Sequence, residues 1–221
     1  PGLEHIRFAM LTLTRWKQTG GARQSAIWSM AQRSAAVSPG GLSTLAELAV
    51  AWGWMSEAED TLWVAVDKYP NQDWPLQALD RFYTARKDTA GFRRLCAARL
   101  QRNPEDPIAR NNYAMVSLLL NADMARAQRI AEELHATDPG NPVFVSTYAF
   151  SLHTQGRTRD AVSVLRGLGL EQLNDPAFAL YYGIMLALSG ESEAASPYLK
   201  RATNAFMWPE ELALLHSATP R

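Results

Sequence analysis

Six prolines divide the middle of the chain at a nearly constant interval, and that interval limits the folds open to it. Pro70, Pro104 and Pro139 are separated by 34 and 35 residues, and Pro107, Pro142 and Pro176 by 35 and 34. Proline has no amide hydrogen, so it is tolerated beyond a helix or in its first turn and disfavoured inside one. The first series therefore reads as the ends of helices and the second as their starts. The stretch 142–165, PVFVSTYAFSLHTQGRTRDAVSVL, shows what lies between them. It predicts one helix over 143–154, a break at Gln155-Gly156 and a second helix over 157–168. Tyr148, Ala149 and Leu152 share a face of the first helix, and Ala161, Val164, Leu165 and Leu168 recur at steps of three and four on the second. A pair of this size cannot bury its apolar stripe by itself, so it needs copies stacked on either side.

The copies align on the turn and on a small residue five positions later. Gly156 and Ala161 match Gly190 and Ala195, and also Gly53 and Ala58 upstream. Two alignments are looser. Asn121 with Ala127 carries one extra residue, and Lys87 with Phe92 has neither the glycine nor the small residue. An aromatic or leucine followed by a small residue recurs in the first helices as Leu45-Ala46, Tyr113-Ala114, Tyr148-Ala149 and Tyr182-Gly183, while the second repeat has Leu79-Asp80 there. A later small position is met by Ala65 and Ala202, but Leu134, Leu168 and Arg99 stand there in the other copies.

A period of 34 with a helix-turn-helix pattern resembles the tetratricopeptide repeat, over roughly residues 39–207. The second repeat fits least well, and helical-pair arrays of longer unit are the competing architecture. The resemblance implies an all-α fold, a right-handed superhelical solenoid of stacked antiparallel helix pairs. About five repeats are expected, at 39–71, 72–104, 105–140, 141–174 and 175–207, within a repeat region of 38–207. Residues 1–37 read as an N-terminal helical hairpin, either a cap or a degenerate repeat, broken at Gly20-Gly21. Residues 208–221 read as a C-terminal capping helix and tail, because Pro209-Glu210-Glu211 places proline and carboxylates in a first helical turn. Leu212, Leu214 and Leu215 are expected to shield the last repeat.

Composition suits a soluble helical protein, with 47% hydrophobic and 20% charged residues. The longest apolar runs, such as Tyr113–Leu120, are too short to cross a bilayer, so no membrane insertion is expected. The single cysteine, Cys96, excludes an intramolecular disulfide and reads as a buried structural thiol. A fold without disulfides is permitted in the cytoplasm and the periplasm alike, so the compartment stays open. The chain starts at Pro1 without methionine, which suggests a processed form or a piece of a longer protein from which a targeting signal could have been removed.

No chemistry-bearing motif stands out. His5, His135, His153 and His216 fall in different elements, and neither paired cysteines nor an acidic cluster at ligand spacing occurs, so no metal and no cofactor is expected. Ser25 and Ser192 lack a nucleophile-elbow context, and no glycine-rich phosphate loop follows a strand. Nucleic acid is disfavoured by charge, since Lys plus Arg equals 22 and Asp plus Glu equals 22. The two halves differ mildly, with 14 basic against 11 acidic residues in 1–110 and 8 against 11 in 111–221. One cluster departs from this balance: Arg81, Arg86, Lys87, Arg93, Arg94, Arg99 and Arg102 surround Asp88 in the second repeat. It reads either as a solvated face with pairs to Glu57, Glu59 and Asp60, or as a patch for an acidic partner formed by Arg86, Lys87, Arg93 and Arg94.

The tetratricopeptide resemblance implies a non-catalytic scaffold that holds a protein or peptide segment against the first helices. Transferred by register, that concave surface comprises Glu47, Arg81, Asn111, Asn112, Met115, Ser146, Phe150, His153, Tyr181 and Ile184. Met115, Phe150, Tyr181 and Ile184 would form an apolar strip with amide and hydroxyl neighbours, suited to a peptide anchored by one or two large side chains. Within the first helices Phe150 and Tyr181 could instead pack between neighbours. The alternatives are a self-association module, to which the seven tryptophans would lend themselves, or an accessory domain of a larger bacterial-type protein. An enzyme is the least favoured reading.

Overall fold

The prolines at the starts of first helices do not act by themselves. In the computed structural model, which describes residue 11 and residues 24–219, Pro107, Pro142 and Pro176 each follow an Asp or Asn whose side chain accepts a hydrogen bond from the amide two positions on. Asp106 accepts from the Ile108 N–H at 2.9 Å, Asn141 from Val143 at 3.1 Å and Asp175 from Ala177 at 2.8 Å. Proline occupies the first helical position, where no amide donor is needed, and the Asx residue satisfies one of the donors left free behind it.

Among the described residues every regular element is helical. The α-helices are α1 (Gln24–Ala35), α2 (Pro39–Ala51), α3 (Met55–Lys68), α4 (Trp74–Arg86), α5 (Thr89–Arg102), α6 (Pro107–Leu119) and α7 (Met124–Thr137), followed by α8 (Pro142–Thr154), α9 (Thr158–Arg166), α10 (Leu170–Leu173), α11 (Pro176–Leu188), α12 (Ser192–Arg201) and α13 (Pro209–Ala218). A 3₁₀ turn, Ala202–Asn204, follows α12. Apart from residue 11, the first helix of the hairpin expected over 1–37 and the Gly20-Gly21 break lie outside the described residues. The chain divides into two units, residues 1–82 and 83–221, with the boundary inside α4.

In the first unit Leu42, Leu45, Ala46 and Ala49 of α2 are buried, as are Ala58, Leu62 and Ala65 of α3. Two side-chain bonds fasten the ends of this core: Tyr69 Oη donates to the Ala36 carbonyl at 2.9 Å and Gln32 Nε2 to Thr61 Oγ1 at 3.2 Å. Trp54 lies edge-on to both Trp28 and Trp52, with ring centroids 5.7 and 5.0 Å apart. Those three indoles therefore have partners within the unit.

The second unit repeats the hairpin as α6–α7, α8–α9 and α11–α12, with the first helices α6, α8 and α11 packed side by side. The backbone supports the alignment of the turns. Gly53, Gly156 and Gly190 have φ of +75°, +78° and +94°, and Lys87 and Asn121, at the equivalent positions, have φ of +52° and +51°. Only glycine enters that region without cost, so the two loose copies keep the turn geometry and bear some strain. The extra residue of the third copy is absorbed by Asp123, also left-handed at +50°, whose carboxylate accepts a 2.7 Å bond from the Tyr113 hydroxyl.

Small residues sit where helices cross closely: Ala58, Ala114, Ala127, Ala149 and Ala161 are fully buried and Ala195 nearly so. A Cβ on Gly183 would come within 2.6 Å of Leu199. In the second repeat the close approach is made by Gly91 rather than at Phe92, since a Cβ there would stand 2.1 Å from the ring of the buried Tyr83. The second helix of the fourth repeat departs from expectation. It ends at Arg166 instead of Leu168, with Gly167 as its cap, and a separate turn, α10, follows. Leu168 and Leu173 are still buried, so that apolar stripe is completed from outside the helix.

Candidate functional site

On the faces of α6, α8 and α11 turned away from their second helices lies a cavity of about 350 Å³. Asn111, Asn112 and Met115 from α6, Ser146 from α8 and Tyr181 from α11 border it, five of the ten residues assigned by register to the concave surface. Asn111 and Ser146 stand two positions before the Tyr-Ala pairs of their helices, Asn112 and Tyr181 one position before the Tyr of theirs, and Met115 two positions after Tyr113, so neighbouring registers of successive first helices meet here. Asn111 Oδ1 and Ser146 Oγ are buried without a hydrogen-bond partner. A buried polar atom without a partner costs free energy that a bound donor would recover, so the two atoms mark where a ligand has something to gain.

The roof of the cavity comes from the end of the chain. Phe206, Trp208 and Glu211 border it from above, and Leu214 and Glu210 border an adjoining cleft beside Phe150 and His153. Helix α13 packs on α11, and the residues before it extend the contact to α5. Trp208 lies against Phe92 with ring centroids 4.8 Å apart, and Phe206 meets Trp208 edge-on at 5.0 Å. Thr89 Oγ1 donates to Glu210 at 2.5 Å. Leu212, expected to cover the last repeat, is 42% exposed, whereas Leu214 and Leu215 are half-buried against the core.

Glu211 is the buried charge of this roof. Its carboxylate accepts the Tyr181 hydroxyl and, at 2.8 Å, the Trp208 N–H. Burial pushes its carboxyl above the ordinary carboxylate value and outweighs the two hydrogen bonds, which act in the opposite direction, while the nearby Glu210 adds to the rise. Burial likewise holds the Tyr181 hydroxyl well above its usual value, with Glu211 reinforcing it. A carboxyl raised in the folded state binds its proton more readily than in the unfolded chain. Its contribution to stability is therefore complete below the unfolded value and is lost as pH rises through the folded one. Glu211→Gln has no such step. The melting temperature of this variant relative to the natural chain is expected to fall as pH is lowered from 8 towards 5, measured by calorimetry; a difference that stays flat would show that Glu211 does not titrate in this environment. Burial also lowers His135 and His153, so the absolute curves combine several groups and the difference isolates Glu211.

The other residues singled out in the sequence are distributed as follows. Phe150 and Tyr181 are 5% and 6% exposed and in edge contact at 5.7 Å, and Ile184 is fully buried. His153 Nδ1 is 3.0 Å from Thr158 Oγ1. Glu47 and Arg81 belong to the first unit and are exposed, with Glu47 accepting a bond from Ser43 at 3.1 Å. In the basic cluster, Arg93 donates to Ser117 at 3.1 Å and lies over the Tyr113 ring, and Lys87 stands over Phe206 at 5.7 Å. Arg86 and Arg94 are exposed. Lys87 and Arg93 are thus engaged by their own unit. A larger cleft of about 730 Å³ borders α5, α6 and α7, and among its charges Arg110 is bonded to Glu133 and Arg126 lies over the Tyr113 ring.

The family model for the tetratricopeptide repeat matches residues 118–181, which run from the end of α6 through the turn and second helix of the third repeat and all of the fourth to the start of the fifth. Residues 118–181 carry the tetratricopeptide repeat pattern. Among solved structures, a tetratricopeptide repeat protein from Parabacteroides merdae has a TM-score of 0.53 at 16% identity, covering 93% of this chain and 82% of that one. MamA from Desulfovibrio magneticus RS-1, residue 41 to its end, gives 0.50 at 12% identity over 81% and 96%. A thermophilic tetratricopeptide repeat protein of Thermus thermophilus gives 0.50 at 14% over 82% and 98%. These likenesses establish the fold. No curated protein matches the chain by sequence. Among the described residues, no helix is long and apolar enough to cross a membrane.

The residues that sequence reasoning missed are those of the roof. Phe92 counted there as a defect of the second repeat, and the structure gives it Trp208 as a partner. Phe206 and Trp208 were present as an aromatic pair before the Pro209 helix start, a signal for packing that did not specify the surface.

Proposed function

We propose that the chain is a non-catalytic interaction scaffold, and that the first-helix face of its tetratricopeptide repeats in residues 83–221 receives a segment of another protein. The observation that carries this reading is the cavity bordered by Asn111, Asn112, Met115, Ser146 and Tyr181, with two buried polar atoms left without partners. Successive helices contribute one face each to a continuous trough, and its mixture of a thioether, a ring and amide groups suits an extended or helical peptide anchored by a large side chain.

The test is a selection of peptides from a random displayed library on the full chain, followed by anisotropy titration of the selected sequences. Met115 and Asn112 are half-buried and therefore replaceable without opening the core. Asn112→Ala and Met115→Ala are each expected to weaken binding by about tenfold or more, the scale of a contact near the centre of an interface. Glu132→Ala, on an exposed position of α7 away from the cavity lining, is the control and should change affinity little. Selected peptides that bind both alanine variants as tightly as the natural chain would overturn the groove assignment.

A further inference from the structure

The end of the chain is seated where the proposed partner would lie. Trp208 sits on Phe92, Glu210 accepts from Thr89, Glu211 accepts from Tyr181, and Leu214 stands beside Phe150 and His153. The fit is incomplete. Phe206 remains 50% exposed, a cavity of about 350 Å³ persists beneath the roof, and Asn111 Oδ1 and Ser146 Oγ, of residues that line it, receive no donor from the segment. A resident that desolvates polar groups without pairing them binds less well than one of similar shape that pairs them.

We propose that residues 205–218 are an intramolecular occupant of the groove, displaced by a partner segment that repeats their chemistry and completes it. That partner carries an aromatic side chain for the Trp208 position, a carboxylate at the start of a helix for Thr89 and Tyr181, and main-chain N–H groups for Asn111 and Ser146. The proposal rests on the groove reading above and adds both the partner's chemistry and the way access to it is set. A tethered segment has a high local concentration, so an external peptide binds with an affinity lowered by the fraction of chains in which the groove is closed. Access is then graded by how firmly the roof is held. Phe206, Trp208 and Glu210 hold it from outside the repeats, and weakening any of them favours the partner.

Two measurements on the full chain test this. Amide hydrogen exchange of the natural chain should show residues 210–218 exchanging at least about tenfold faster than the middle of α8, as expected of a segment that opens while the repeats stay folded. Equal protection of α13 and α8 would make the segment part of the core and overturn the proposal. The second is titration of a labelled synthetic peptide of residues 204–219 into the natural chain and into Trp208→Ala. Binding about tenfold tighter to the variant, whose own segment has lost its anchor, is the expected result, and an unlabelled peptide with the same Trp208→Ala change should fail to compete. Equal affinity for both chains, or no binding to the variant, overturns it. A mass that doubles with concentration in light scattering would assign the groove to the segment of a second copy and also overturn it. Should the 204–219 peptide fail while library peptides still depend on Met115, this proposal falls and the groove reading stands. Should neither class of peptide bind, both fall.

Discussion

Phe150→Ala is expected to lower the stability of the chain by about 3–5 kcal/mol, measured by chemical denaturation at neutral pH. The ring is 5% exposed and stands in edge contact with Tyr181, 5.7 Å away, and near His153 at 6.1 Å. Leu118, Leu119 and Leu214 border the same space, so truncation leaves a void walled by three helices that cannot all collapse into it. A loss below about 1 kcal/mol would mean that the ring contributes to a surface rather than to the packing between first helices. Phe150 therefore cannot serve as a test of binding, which is why the peptide experiment relies on Asn112 and Met115.

Enlarging Ala161 to tryptophan should cost about 1–3 kcal/mol or more, because the residue is fully buried at the crossing of α8 and α9 and nothing nearby can yield. Ser163→Trp, two positions along on the exposed side of the same helix, should change stability by less than about 0.5 kcal/mol. If the two variants melted together, the register that places Ala161 five residues after the Gly156 turn would be wrong.

That register was readable because proline and glycine act through the backbone, which tertiary packing does not revise. Pro107, Pro142 and Pro176 head their helices as their spacing required, and the turn glycines take the conformation that an L side chain disfavours. Lys87 and Asn121 were less legible, since their identity does not announce a left-handed turn, yet stacking against neighbours holds them there. The Asx residue before each of these prolines was a cap signal in plain sight and went unread. Apolar periodicity overran the end of α9 by two residues. It counts Leu168 as buried without distinguishing a buried position in a helix from one just past it, and Gly167 was the stronger local signal. The candidate site was legible in part. Asn111, Asn112, Met115, Ser146 and Tyr181 fall together by register, whereas the burial of Phe150 and Ile184 depends on what covers them. No local pattern encodes the destination of Phe206 and Trp208, because their partners Lys87, before α5, and Phe92, on it, lie more than three helices back along the chain.

The Thr89–Glu210 hydrogen bond joins residues 121 apart in the chain, while each hairpin of the array pairs helices that are consecutive in sequence. Short-range pairs close early and cheaply, and distant ones wait until the intervening segments are in place. A polypeptide emerges from the ribosome in sequence order, so α5 to α12 can stack before residue 208 has been made. Each newly synthesised molecule thus passes through an interval in which the trough is built and uncovered, and a partner present at that moment meets no competitor.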